Sequence, residues 1–142
     1  MAKLAQHVVH RRATIDFFKA SLRRNADSGK YQLEEAIHQL IFPLRCTSDD
    51  LNANQMNLWM IDEKLSFHYY LASNLQFSQQ GDVVSIQGGS GKKPDIIIYN
   101  NPSALVSEEQ PFSSVTILEF KRPLRNNYTD EENPILQVYE YV

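Results

Sequence analysis

The chain has 142 residues, 42% of them hydrophobic and 22% charged, with a formal net charge of -3. This is the composition of one globular domain, and it excludes a disordered chain and a globally basic nucleic-acid binder. A single cysteine, Cys46, excludes an internal disulfide and fits a reducing cytoplasm, and no apolar run is long enough to span a membrane.

From Leu4 to Arg24, Val8, Ile15, Phe18 and Leu22 recur at helical spacing among many cations. The pattern predicts a surface helix with a basic side. Asn25–Lys30 is a break, so residues 1–30 read as an N-terminal helical extension. A second helix is predicted in "YQLEEAIHQLIF", ending at Pro43. "CTSDDLNANQ" reads as a loop and Asn57–Ile61 as a short buried strand. Asp62 is placed as the cap of a third helix through "EKLSFHYYLAS".

A weak strand signal at Val83–Ile86 precedes the Gly-rich "GGSGKK". That loop lacks the first glycine and the final Ser/Thr of a P-loop, and is rejected as one. "DIIIY" and "VTILEF" are the two strong strands. Lys121–Asn127 is a basic exit loop. In the final segment acidic residues lead, Pro134 suits a first turn and apolar residues follow, which predicts a helix still running at Val142. The chain is therefore expected to be C-terminally incomplete, with a sheet edge that invites pairing with a second copy, a possible homodimer.

The chemistry lies at the ends of the two strong strands. Glu119 and Lys121 are two apart and share one face, while Leu118 and Phe120 occupy the other. Asp95 opens the first strand after Pro94. If the strands pair, Asp95 comes near both charges. Two adjacent carboxylates repel unless a cation lies between them, and Mg²⁺ takes one or two carboxylates plus waters. In the second helix, at about 100° per residue, Glu34 falls at the edge of the apolar stripe and Glu35 in water. His38 lies near Glu34 and reads as a satisfied surface histidine. Lys92 and Lys93 stand beside Asp95, within reach of a nucleic-acid backbone. Arg122 and Arg125 read either as phosphate contacts or as a solvated exit loop. Trp59 is placed in the core.

Pro94-Asp95 followed by Glu119-Phe120-Lys121 resembles the PD-(D/E)XK nuclease superfamily of restriction endonucleases, lambda exonuclease and RecB-like nucleases. Gln137 and Tyr141 resemble the QxxxY element of its RecB-like and lambda-exonuclease branches, although a solvated position for Gln137 and core packing for Tyr141 remain open. "LEEAIHQLIFPLR", "KPDIIIYN", "ILEFKRP" and "NPILQVYEYV" also resemble a nuclease-like region that follows GHKL-type ATPase modules in large bacterial proteins. The resemblance covers residues 31–142. It implies an α/β fold with a restriction-endonuclease-like αβββα core and a mixed central sheet flanked by helices.

The resemblance also implies a Mg²⁺-dependent nuclease, with Mn²⁺ able to substitute, acting on DNA ahead of RNA. Asp95 and Glu119 would hold the metal, with Glu34 assisting and the Phe120 carbonyl adding a main-chain ligand. Lys121 would position or activate water, Gln137 would orient the site, and Tyr141 would contact substrate. The alternative is an inactive module that binds nucleic acid or joins domains of a larger ATPase.

Overall fold

The β-branched run Ile96-Ile97-Ile98 forms the centre of a four-stranded sheet. The computed structural model describes residues 2–23, 34–80, 91, 93–100, 114–121, 125 and 127–141. Its elements are α1 (Ala2–Ser21), α2 (Glu34–Ile41), β1 (Cys46–Thr47), β2 (Tyr70–Ser73), β3 (Ile96–Asn100), β4 (Ser114–Leu118) and α3 (Pro134–Tyr141), with short 3₁₀ turns between β1 and β2, after β2 and before α3. The class is mixed α/β.

All three strand pairings are antiparallel, in the order β1-β2-β3-β4. The expected mixed sheet does not form among the described residues. Each strand pairs antiparallel with the next in sequence, whereas a parallel pair needs a long crossover connection from one end of the sheet to the other.

β3 is buried on both faces, which is why its sequence is continuously apolar. Ile96 and Ile98 pack with Ile41, Phe42, Leu58 and Leu71 on the α2 side. Ile97 and Tyr99 pack with Tyr70, Ala72 and Phe77 on the other side, where Tyr141 of α3 joins them. Burying one such isoleucine contributes about 1.5–3 kcal/mol.

Two elements differ from the sequence reading. Asn57–Ile61 holds a 3₁₀ turn, Leu58–Met60, that inserts Leu58 into the core. The helix predicted from Asp62 lasts only for the 3₁₀ turn Glu63–Ser66; Asp62 caps it, its side chain accepting from the Lys64 N–H at 2.9 Å. Tyr70–Ser73 is then a strand with all four residues buried. Burial on both faces erased the alternation that marks a strand, and tertiary pairing overrode the helical propensity of Leu71 and Ala72. "CTSDDLNANQ", read as a loop, contributes the edge strand β1 and two 3₁₀ turns. The strand signal at Val83–Ile86 lies outside the described residues.

α1 is helical as expected, but its inner face differs. Thr14 and Ser21 are buried, their hydroxyls donating to the carbonyls of His10 and Phe17 within the helix. Val8 and Leu22 are exposed. The helix is turned so that Arg11 stacks on Trp59, 4.5 Å from the ring centre, and pairs with Glu63 through both guanidinium nitrogens. Trp59 is half-buried beneath that cation.

Candidate active site

Ile96 pairs with Leu118, so the next rung sets Asp95 opposite Glu119. The strands bring the two carboxylates together at one end of the sheet, with Lys121 two residues further on. Phe120 packs into the α2-side core with Leu118, as the period-two reading requires.

Asp95 turns toward α2. Its Oδ2 accepts from the Phe120 N–H at 2.7 Å, and its Oδ1 lies 3.8 Å from His38 Nδ1. The side chain is 25% exposed. It lines a cleft of about 330 Å³ with Glu34, Glu35, His38, Arg45, Lys93 and Lys121 among its walls.

Glu119 is on the α3 side and only 8% exposed. It borders a second, apolar depression formed with Pro134, Ile135, Val138 and Tyr139. Its Oε1 is buried without a hydrogen-bond partner. Burial raises its pKa above the usual carboxylate value, and Asp95 raises it further; the Tyr141 hydroxyl, Lys121 and the Asp95 N–H offset part of this. Lys121 Nζ is 3.7 Å from Glu119 Oε2 and donates to Gln137 Oε1 at 2.8 Å. Gln137 therefore reaches the site through Lys121, from the first turn and a half of α3.

The remaining candidates are distributed more widely. Glu34 is half-buried and Glu35 exposed, as predicted, and both line the Asp95 cleft. Glu35 accepts from Gln39 at 3.1 Å. Lys93 lines the same cleft, and its carbonyl accepts from the Tyr141 hydroxyl at 3.5 Å. Tyr141 also packs edge-on against Phe77. Arg125 is folded onto Glu132 and over the Tyr128 ring, so its guanidinium is already engaged. The Phe120 main chain enters the site through its N–H. Lys92 and Arg122 lie outside the described residues.

The residue that the sequence reading misplaced is His38. It is buried rather than at the surface, with its ring centre 5.1 Å from that of Phe120. Its Nε2 and the Ser73 Oγ are hydrogen-bonded at 2.8 Å. Burial lowers its pKa, with Asp95 and Glu35 opposing, so the ring is neutral at pH 7. A carboxylate only accepts, so the tautomer that suits Asp95 carries its proton on Nδ1; Ser73 then donates to Nε2. The order Ser73–His38–Asp95 is that of a nucleophilic triad, but Ser73 is 0% exposed and no substrate can reach its Oγ. Ser73 fixes the ring, and His38 stands beside Asp95 at 3.8 Å, beyond hydrogen-bond distance. Its signal in the sequence was the spacing Glu34-His38, one helical turn on the edge of the apolar stripe.

Among the described residues, no three His, Cys, Asp or Glu side chains are arranged as a metal-holding group. Mg²⁺ asks for only one or two carboxylates: Asp95 offers one in the α2-side cleft, while Glu119 borders the α3-side depression and its buried Oε1 is an acceptor without a donor. Among the described residues, no helix is long and apolar enough to cross a membrane.

Comparison with family models, curated proteins and solved structures yields no match to this chain.

Proposed function

We propose that this chain carries a Mg²⁺-dependent site for hydrolysing phosphodiester bonds of nucleic acid, DNA ahead of RNA, on a restriction-endonuclease-like core. The observation that carries this reading is the meeting of Asp95, Glu119 and Lys121 at one sheet end, with one Glu119 oxygen buried and unpartnered. The element order is compatible with it: α2, the two-residue edge strand β1, the antiparallel β2, β3 and β4, then α3 is an αβββα order with one short strand added.

Asp95 would hold Mg²⁺ from the cleft it shares with Glu34, and Glu119, which borders the α3-side depression, would join it by turning its carboxylate across the rung. When bound, the metal lowers the pKa of a coordinated water and stabilises charge on the phosphate in the transition state. Asp95 is kept in place by the Phe120 N–H, with the His38 ring beside it. Lys121, held by Gln137, presents an ammonium beside Glu119 and orients the attacking water. Substrate would approach over the 330 Å³ cleft, where Lys93 offers its charge to the backbone.

A second reading is an inactive module that binds nucleic acid or joins domains of a larger ATPase. It is favoured by the lack of a three-residue metal group among the described residues and by the net charge of -3. The two readings separate in one experiment. Purified protein is incubated with DNA and with RNA in Mg²⁺ or Mn²⁺, beside Asp95→Ala and Lys121→Ala. The nuclease reading expects cleavage that Asp95→Ala abolishes, and metal binding in calorimetry that Lys121→Ala retains. No cleavage, together with no metal uptake that depends on Asp95, establishes the inactive module.

A further inference from the structure

Two described residues other than glycine take left-handed backbone, Arg45 (φ 58°) and Asn74 (φ 51°). Asparagine tolerates this region; arginine, with its longer side chain and no local hydrogen bond to stabilise the turn, does not favour it. Both residues line the Asp95 cleft. Their backbones are pinned to the site: the Arg45 N–H donates to the Ser73 carbonyl at 3.0 Å, and the Asn74 N–H to the Asp95 carbonyl at 2.9 Å. The entry to β1, the exit of β2 and the entry to β3 are thus tied into one rim.

Packing does not account for an arginine there. The Arg45 side chain is exposed and joins no ion pair among the described residues. Glycine would relieve the backbone, and an asparagine like its neighbour would suit it. Backbone strain of this kind gathers where a ligand is held. The cleft contains two further cations. Lys121 is engaged by Glu119 and Gln137, and Lys93 stands on the β3 side. Arg45 is therefore the cleft's cation at the β1 end of the rim.

We propose that Arg45 grips a backbone phosphate of the nucleic-acid strand on the β1 side of the Asp95 cleft. This rests on the nuclease reading and extends it to substrate placement. A guanidinium can hold two phosphate oxygens at once, in a fixed plane, which a lysine cannot. With Arg45 and Lys93 both lining the cleft that holds Asp95, a strand gripped there would lie with its backbone beside Asp95.

The test uses the full chain, a short fluorescein-labelled DNA in single- and double-stranded form, and anisotropy in EDTA across a salt series. Arg45→Gly should weaken binding about tenfold and reduce the salt slope by about one phosphate contact, roughly 0.7–0.9. It should also raise the melting temperature, because the strained turn relaxes. Arg45→Lys should restore part of the affinity without that gain in stability. Unchanged affinity in Arg45→Gly overturns the assignment, as does a lowered melting temperature, which would make Arg45 a structural residue. If Asp95→Ala abolishes cleavage while Arg45→Gly binds as wild type, the nuclease reading stands and the Arg45 assignment falls. If wild type binds neither DNA, both fall.

Discussion

Asp95 and Glu119 face each other across one rung of the same strand pair, yet the two sides of that rung are built on opposite terms. On the α2 side, Asp95 is partly solvated, and one oxygen accepts from the Phe120 N–H with the His38 ring beside the other. On the α3 side, Glu119 is sealed under apolar residues with one oxygen unpartnered. The same functional group is thus supported in one place and left under strain in the other. The supported carboxylate can hold its geometry alone, whereas the sealed one gains from a cation that would complete its coordination.

The largest effect should come from the supported side. Asp95→Ala should reduce metal-dependent cleavage to below ~1% of wild type, measured on labelled DNA. Retained cleavage would place the chemistry away from this rung and end the comparison.

Glu119→Gln should also lose cleavage, but with the opposite effect on stability. Glu119 has a folded pKa above its ordinary value of 4.5. Between those two values the native state holds more protons than the unfolded state, so stability falls as pH rises through that window. Metal-free wild type should therefore melt lower at pH 7 than near pH 4.5 by this contribution, and Glu119→Gln should flatten that dependence and melt higher at pH 7. Mg²⁺ should raise the wild-type melting temperature and leave that of Glu119→Gln unmoved. A variant that melts lower than wild type at pH 7 would show that Glu119 is not sealed at a cost.

A smaller change is expected from His38→Ala. It leaves the Ser73 hydroxyl buried and unsatisfied, which costs about 1–3 kcal/mol in chemical denaturation. Loss of the ring packed against Phe120 should loosen the wall that carries Asp95 and slow cleavage about tenfold. Wild-type rates in a destabilised variant would mean that Asp95 needs only the Phe120 N–H. Gln137→Ala should have the mildest effect, less than about tenfold on the rate with metal affinity unchanged, because it orients Lys121 and not the carboxylates.

Much of this rung was legible in the sequence. The strand pair followed from two β-branched runs, and the closeness of Lys121 to Glu119 from the two-residue spacing. The half-burial of Glu34 against exposed Glu35 followed from helical geometry. His38 was not legible as a buried residue, because its partner Ser73 lies on a strand whose alternation was erased by burial on both faces. Arg45 gave no signal at all, since a left-handed arginine is a product of how three strand ends are tied together. The mixed sheet expected from the resemblance gave way to neighbour-to-neighbour antiparallel pairing.

α1 is anchored to the body of the protein by the ion pair and ring contact of Arg11, beside the half-buried Ile15 and Phe18. Its inner face offers the hydroxyls of Thr14 and Ser21, and its anchor is Arg11 between Trp59 and Glu63. Leu4, Val8, Val9 and Phe17 face outward. Interactions of this kind weaken in concentrated electrolyte, while apolar burial does not. Raising the ionic strength should therefore peel α1 away before the sheet responds, and limited proteolysis should first nick the chain near that helix. The order in which parts of this protein come loose would then be set by the solution rather than by temperature.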